Sequence, residues 1–277
     1  MNYTRRVIGA ARGSRATRRR ILTVGIAALV AAGIGAPAAQ AQSSAESSSI
    51  GSDFSESFVD VGQLATAAEV ATRNLGYSAN DDRGIGAKDS VRWIDRTATS
   101  SIVVVAPHAV KHHRDGHLKA ADTFTGGIAE TVADRIGASV LTTTGEVSDW
   151  GEDWSTRNDE FTRILHSLPE RAVIVDLHGM DDGSSSADIS IGKSIKDSDA
   201  TRALAKRVRK AFDGDTVIDG KFDASSHYTV TRHMQERGHD GVQIEISKTF
   251  RDPAQLRVGH TVDALARALT ETDDKDR

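Results

Sequence analysis

The sequence predicts an α/β protein of three layers, with a mostly parallel central sheet between helices. Three observations carry this. The runs SIVVVA, RAVIVDL and GVQIEIS are apolar without alternation, as strands buried on both faces are. Segments of helical period separate them, and strands alternating with helices build a sheet covered by helices. Each run also ends in residues with chemistry: His108, then Asp176 with His178, then Glu245. The carboxyl ends of parallel strands open on one crevice, so residues distant in sequence can meet there.

Taken in order, residues 1–41 read as an export signal. Arg5, Arg6, Arg12, Arg15, Arg18, Arg19 and Arg20 form a basic region, residues 21–34 a short apolar stretch, and Ala39-Gln40-Ala41 an A-x-A cleavage site. The apolar stretch is shorter than the ~20 residues of a spanning helix. TRRRILT also fits the twin-arginine pattern, alongside an ordinary basic region. Residues 42–56, rich in serine and without apolar period, read as a disordered linker, and 57–277 as a single hydrolase-sized α/β domain. The signal holds seven of the 35 basic residues and no acidic one, so the remainder carries 28 basic against 39 acidic residues. That acidic balance argues against nucleic acid or an anionic membrane as partner. With no cysteine there is no disulfide framework, and a metal would be held by histidine and carboxylate.

The first helix is expected from residue 58 to Leu75 with a glycine stop at Gly76, and SVRWID around Trp93 as a short edge strand. Strand 102–106, helix 125–136, strand 139–143, helix 156–168, strand 172–177 and strand 188–192 follow. Helix 199–212, strand 216–219, strand 242–247 and helix 253–270 complete the pattern.

A catalytic zinc takes three protein ligands and keeps one position open. His108, directly after Pro107, and His178 supply two imidazoles at strand ends. For the carboxylate, Asp122 in KAADTFTGG stands just ahead of a helix start; the rival is Glu130, which the spacing IAETVADRI places near the solvent face. Glu245 is the acid within an apolar strand, where an unpaired carboxylate is costly. Beside an activated water it is a natural general base; otherwise it would pair with Lys248 or Arg251. Asp176 shares a strand face with His178 and can accept its other N–H. Arg157 in STRNDEF and Arg232 in TVTRH are candidates to seat a substrate carboxylate, or else surface helix residues. His112, His113 and His117 fall in the polar segment KHHRDGHLK and read as solvated or rim-lining.

PHAV with a downstream K-x-A-D-x-F-T-G, then STRNDEF, VDLHGM and VQIEIS, in that order, resembles the N-formylglutamate amidohydrolase family, most closely a divergent branch. The likeness runs from Ile102 to Arg251. It implies a fold similar to the zinc carboxypeptidases, with a mixed sheet, and hydrolysis of amide bonds near a carboxylate using zinc. By position, the family's ligand and base roles fall on His108, Asp122, His178 and Glu245. The carboxypeptidase H-x-x-E spacing is absent, since Ala109, Val110 and Lys111 follow His108. Ala109-Val110 and FDASSHYTVTR also replace the family's small-residue and glycine-rich segments, where substrate would be read.

The expectation is therefore an exported, secreted, zinc-dependent amidohydrolase with one ion per chain; manganese or iron accept the same donors. Its partner would be a small molecule or peptide with a carboxylate, such as an N-acyl amino acid or a γ-glutamyl or cell-wall peptide. The alternatives are a poly-γ-glutamate hydrolase and a secreted, non-catalytic metal- or ligand-binding protein.

Overall fold

Helix α1 (Val61–Asp82) begins at Asp60, whose carboxylate accepts the Gly62 N–H at 2.8 Å. It continues through the expected stop at Gly76 and leaves helical geometry only at Ala79, Asn80 and Asp81. Packing overrides the glycine's weak helix propensity, because the adjacent Tyr77 buries its ring against the next helix. The structure, a computed structural model, describes residues 60–148, 156–181 and 183–271. The export signal and serine-rich linker lie outside the described residues.

The chain continues through β1 (Val91–Ile94), β2 (Ile102–Ala106), β3 (His112–Arg114), β4 (His117–Lys119), α2 (Thr125–Ile136), β5 (Ser139–Thr143) and α3 (Glu160–Ser167). Then come β6 (Val173–Met180), β7 (Ile189–Gly192), α4 (Asp199–Ala211), β8 (Val217–Asp219), α5 (Val230–Glu236), β9 (Asp240–Ser247), α6 (Lys248–Arg251) and α7 (Arg257–Thr270). Seven strands form one sheet in the order β1-β5-β2-β6-β9-β7-β8. Its centre, β5, β2, β6 and β9, is parallel, while β1 joins β5 and β7 joins β9 antiparallel. The sheet is thus mixed and mostly parallel, with the Trp93 strand at one edge.

Helices α2, α4 and α7 pack side by side, with α1 across α2 and α7. Helix α5 rests on β6 and β9 and meets α3 through His166 and His233, so helices flank the sheet in three layers. The apolar stripe of α7 (Val258, Val262, Leu265, Leu269) and that of α4 (Leu204, Val208) follow helical spacing and enter one core with Val103, Val105, Ile174 and Ile244. Among the described residues no helix is long and apolar enough to cross a membrane.

Three local expectations change. The segment expected as a polar loop forms the hairpin β3–β4, closed by Asp115 and Gly116 at φ 52° and 73°. Asp-Gly is the turn that favours both positive angles, and it is the signal in the sequence for this hairpin. The helix expected at 156–168 starts at Glu160, because Asp159 caps it by accepting the Thr162 N–H at 2.8 Å. The helix expected at 253–270 is a 3-10 turn Pro253–Gln255 and then α7, with left-handed Leu256 between them, and the short α6 precedes it. Pro253 disfavours helical geometry at Asp252, which is extended.

Candidate metal centre

His108 stands two residues past β2, while His178 and Glu245 lie within the carboxyl halves of β6 and β9. The parallel register sets Asp176 beside Gln243 and His178 beside Glu245, so two pairs two residues apart share one face. Asp122 reaches the same place from the segment before α2, tied back by its backbone N–H to the His108 carbonyl at 2.8 Å. Gly179 makes room for this: a Cβ there would stand 2.8 Å from the Arg251 Nε and 3.2 Å from the Asp122 Cβ.

Among the described residues, His108, Asp122 and His178 form the group able to hold a metal ion. Their facing atoms make a nearly equilateral triangle. His108 Nδ1 is 3.1 Å from His178 Nδ1, and Asp122 Oδ2 is 3.4 and 3.3 Å from those two nitrogens. Tetrahedral ligands at zinc distances of about 2.0–2.1 Å stand about 3.3–3.4 Å apart, so the donor set and its spacing fit zinc. The other nitrogen of His178, Nε2, is 3.0 Å from Asp176 Oδ1, which assigns Nδ1 to the centre. Asp176 is fully buried and its second oxygen accepts from the Thr231 hydroxyl at 3.0 Å and backbone N–H at 3.3 Å.

The electrostatics follow from crowding acceptors in a buried place. Burial lowers the His108 pKa. Burial acts the same way on His178, but Asp176 and Asp122, with Glu245, outweigh it and raise this imidazole well above its usual range. Burial pushes Asp122 up, yet its hydrogen bonds to both histidines prevail and hold the carboxyl well below the usual carboxylate range. Three potential donor atoms thus face one another, the place a cation would take. Glu245 goes the other way: burial, with Asp122 and Asp176 adding and His178 and Arg251 opposing, pushes it up to about 7. Gln243 Nε2 donates to its Oε1 at 3.0 Å.

These groups open on a cavity of about 550 Å³. Its described lining leaves out Arg157 and Arg232. Arg157 is buried and bonded to Asp159 beside the α3 cap, and Arg232 bonds Glu236 and the Ser225 carbonyl. The cations at the cavity are Arg114, Lys119, Lys221 and Arg251. Arg251, weighed above as an ion-pair partner of Glu245, donates to the carbonyls of Thr123, Met180 and Ile246, and its charge also acts on Glu245.

Two expectations are corrected here. Glu130 is 2% exposed rather than near solvent, because α1 covers α2 and approaches closely over Gly126, whose added Cβ would meet the Tyr77 ring at 2.7 Å. Its partners are Tyr77, Arg92 and Arg73, which take it out of contention as a ligand. His112 is 3% exposed and stacked on His108, because β3 folds back over the strand end; it is neither solvated nor on the rim. Of the other two, His113 pairs with Glu146 at 2.9 Å and His117 is exposed. Period and spacing gave no signal for Thr231 or Arg114, which the first turn of α5 and the hairpin bring to the site.

No protein-family model matches the chain, and no curated protein matches it by sequence. Solved structures do. A bacteriophage poly-gamma-glutamate hydrolase is similar at 14% identity and TM-score 0.42, over 65% of this chain and 86% of that one. An N-formylglutamate amidohydrolase from Ralstonia eutropha JMP134 is similar at 16% identity and TM-score 0.40, over 61% and 92%. An N-acetylmuramoyl-L-alanine amidase from Clostridium difficile 630 follows at 15% identity and TM-score 0.35, over 62% and 98%. Each of the three is a hydrolase or amidase by name.

Proposed function

We propose that this chain is an exported, zinc-dependent amide hydrolase whose substrate carries a carboxylate near the scissile bond. The observation behind this reading is the triangle of His108 Nδ1, His178 Nδ1 and Asp122 Oδ2 with 3.1–3.4 Å sides, one strand away from the buried Glu245. Zinc in such a place supplies a Lewis acid for an amide carbonyl and lowers the pKa of a water to about 7.

The chain's own residues do the rest. Asp176 accepts the Nε2–H of His178 and so presents Nδ1 unprotonated to the ion. Glu245 takes a proton from the attacking water and passes it to the departing nitrogen, and Gln243 holds one of its oxygens so that the other handles the proton. Arg114, Lys119 and Lys221 line the same cavity and would seat a substrate carboxylate, the role first considered for Arg157 and Arg232.

N-acyl amino acids and γ-glutamyl or cell-wall peptides fit this description. Poly-γ-glutamate is a second reading, favoured by several cations along one cavity, which suits a chain of repeated carboxylates. Export rests on the basic and then apolar N-terminus and Ala39-Gln40-Ala41; N-terminal sequencing of the mature protein should begin at Gln42. The central test is metal content by elemental mass spectrometry with His178→Ala beside the wild type. About one zinc per chain, absent from the variant, is expected. No metal in either after zinc is supplied would end the hydrolase reading.

A further inference from the structure

Beyond the three ligands, the cavity wall holds another imidazole whose place calls for a reason. His112 is 3% exposed, and among the described residues neither of its ring nitrogens has a hydrogen-bond partner. Its ring lies flat on His108, with centroids 4.0 Å apart and planes within 6°. The backbone fixes it there: Val147 N–H donates to the Lys111 carbonyl at 3.1 Å, and His113 N–H donates to the Val147 carbonyl at 3.0 Å. Burying polar atoms without partners is unfavourable, so hydrogen bonding does not account for this position. What the ring does offer is a flat face that blocks rotation of the ring beneath it.

Neighbouring side chains pack on or bond to both ligand imidazoles. His178 sits within a strand and is oriented by Asp176. His108 stands past the end of β2, where the neighbouring ring packs on it. Because the two rings are parallel, His112 turns its face, and neither nitrogen, toward the His108 ring.

We propose that His112 is a positioning residue, whose stacked ring fixes the plane of His108 and thereby sets the metal affinity of the His108, Asp122, His178 centre. This inference rests on the metal centre proposed above. It is tested by zinc affinity, measured by competition with a chelator, for the wild type, His178→Ala, His112→Ala and His112→Phe. Phenylalanine keeps a flat ring and removes both nitrogens. Loss of such a support weakens metal binding about 10- to 100-fold, expected for His112→Ala, while His112→Phe should stay within about threefold of wild type.

The cobalt-substituted proteins add a spectroscopic readout: His112→Phe keeps the wild-type visible bands and His112→Ala shifts them. Melting of the metal-free proteins shows that each variant is folded, and His112→Phe carries the test if His112→Ala is not. Wild-type affinity and spectrum in His112→Ala would overturn the inference, as would a His112→Phe as impaired as His112→Ala, which would place the action in the nitrogens. Absence of zinc binding in the wild type is a separate outcome, which would overturn the metal-centre reading and this inference with it.

Discussion

The molecule buries two charged clusters, and they are solved in opposite ways. Around Glu130, the Tyr77 hydroxyl donates to one oxygen while Arg92 at 2.8 Å and Arg73 at 3.5 Å approach the other. Tyr77, whose pKa burial pushes far up, also contacts the Thr142 hydroxyl at 2.7 Å. Every charge there has a partner supplied by the chain, and the cluster ties α1 to α2 and β1. At the strand ends, two imidazoles and a carboxylate instead turn ligand atoms toward one another, and the buried Glu245 beside them has only Gln243 on one oxygen among the hydrogen bonds described. Burial of a charge is therefore no sign of function by itself. What separates the clusters is whether the chain supplies the countercharge or leaves the position to a ligand.

The sharpest way to break this contrast is Glu245→Gln. General-base catalysis is worth about 10²–10⁴-fold, so amide hydrolysis should fall by that factor with zinc content unchanged. Unchanged turnover would remove Glu245 from the reaction. Next in size, Glu130→Ala should lower stability by about 2–3 kcal/mol in urea unfolding, at the modest end for a broken buried pair because Arg92 and Arg73 reach solvent. Its zinc content should match wild type; loss of the metal would mean that the two clusters are not separate.

Chelation should have the converse effect on the strand-end cluster. A ligand at about a hundred times its dissociation constant stabilises by about 2.7 kcal/mol, so removing zinc should lower the melting temperature by several degrees. His178→Ala should show no such response. The smallest effect belongs to the turn that holds Arg157. Burial pushes Asp159 up, but the Thr162 N–H and Arg157 outweigh it and hold its carboxyl low. A carboxyl lowered on folding contributes stability above its unfolded pKa of about 3.9 and loses it as pH falls through the folded value. Asp159→Asn keeps a capping oxygen, so it should lose about 0.5–1 kcal/mol at pH 7, with the gap from wild type narrowing as pH falls below about 3.9. A constant gap across that range, read from urea midpoints, would show that the charge of Asp159 does not matter.

Much of this architecture was legible because its cause is local. Continuous β-branched runs are the pattern of strands covered on both sides, and β2, β6 and β9 are such strands at the middle of the sheet. Their shared direction brings His108, His178 and Glu245 to one end, and the period of two places Asp176 under His178. Asp122 was readable as a residue poised before a helix.

The rest was decided by contacts between segments that no local pattern describes. Glu130 reads as exposed on α2 alone; α1 encloses it, and only the folded chain shows Arg92 from an edge strand beside it. His112 belongs to a segment that reads as polar loop, yet the Asp115-Gly116 turn and the Val147 backbone lay it on His108. Arg157 and Arg232 have the right chemistry for a carboxylate, but nearby acids and carbonyls engage them first. The sequence by itself determined the strands, their order of burial and the residues at their ends, since these follow from side-chain shape and period. Which charges are neutralised and which are left facing a ligand depends on distances across the fold, and only the tertiary structure sets those.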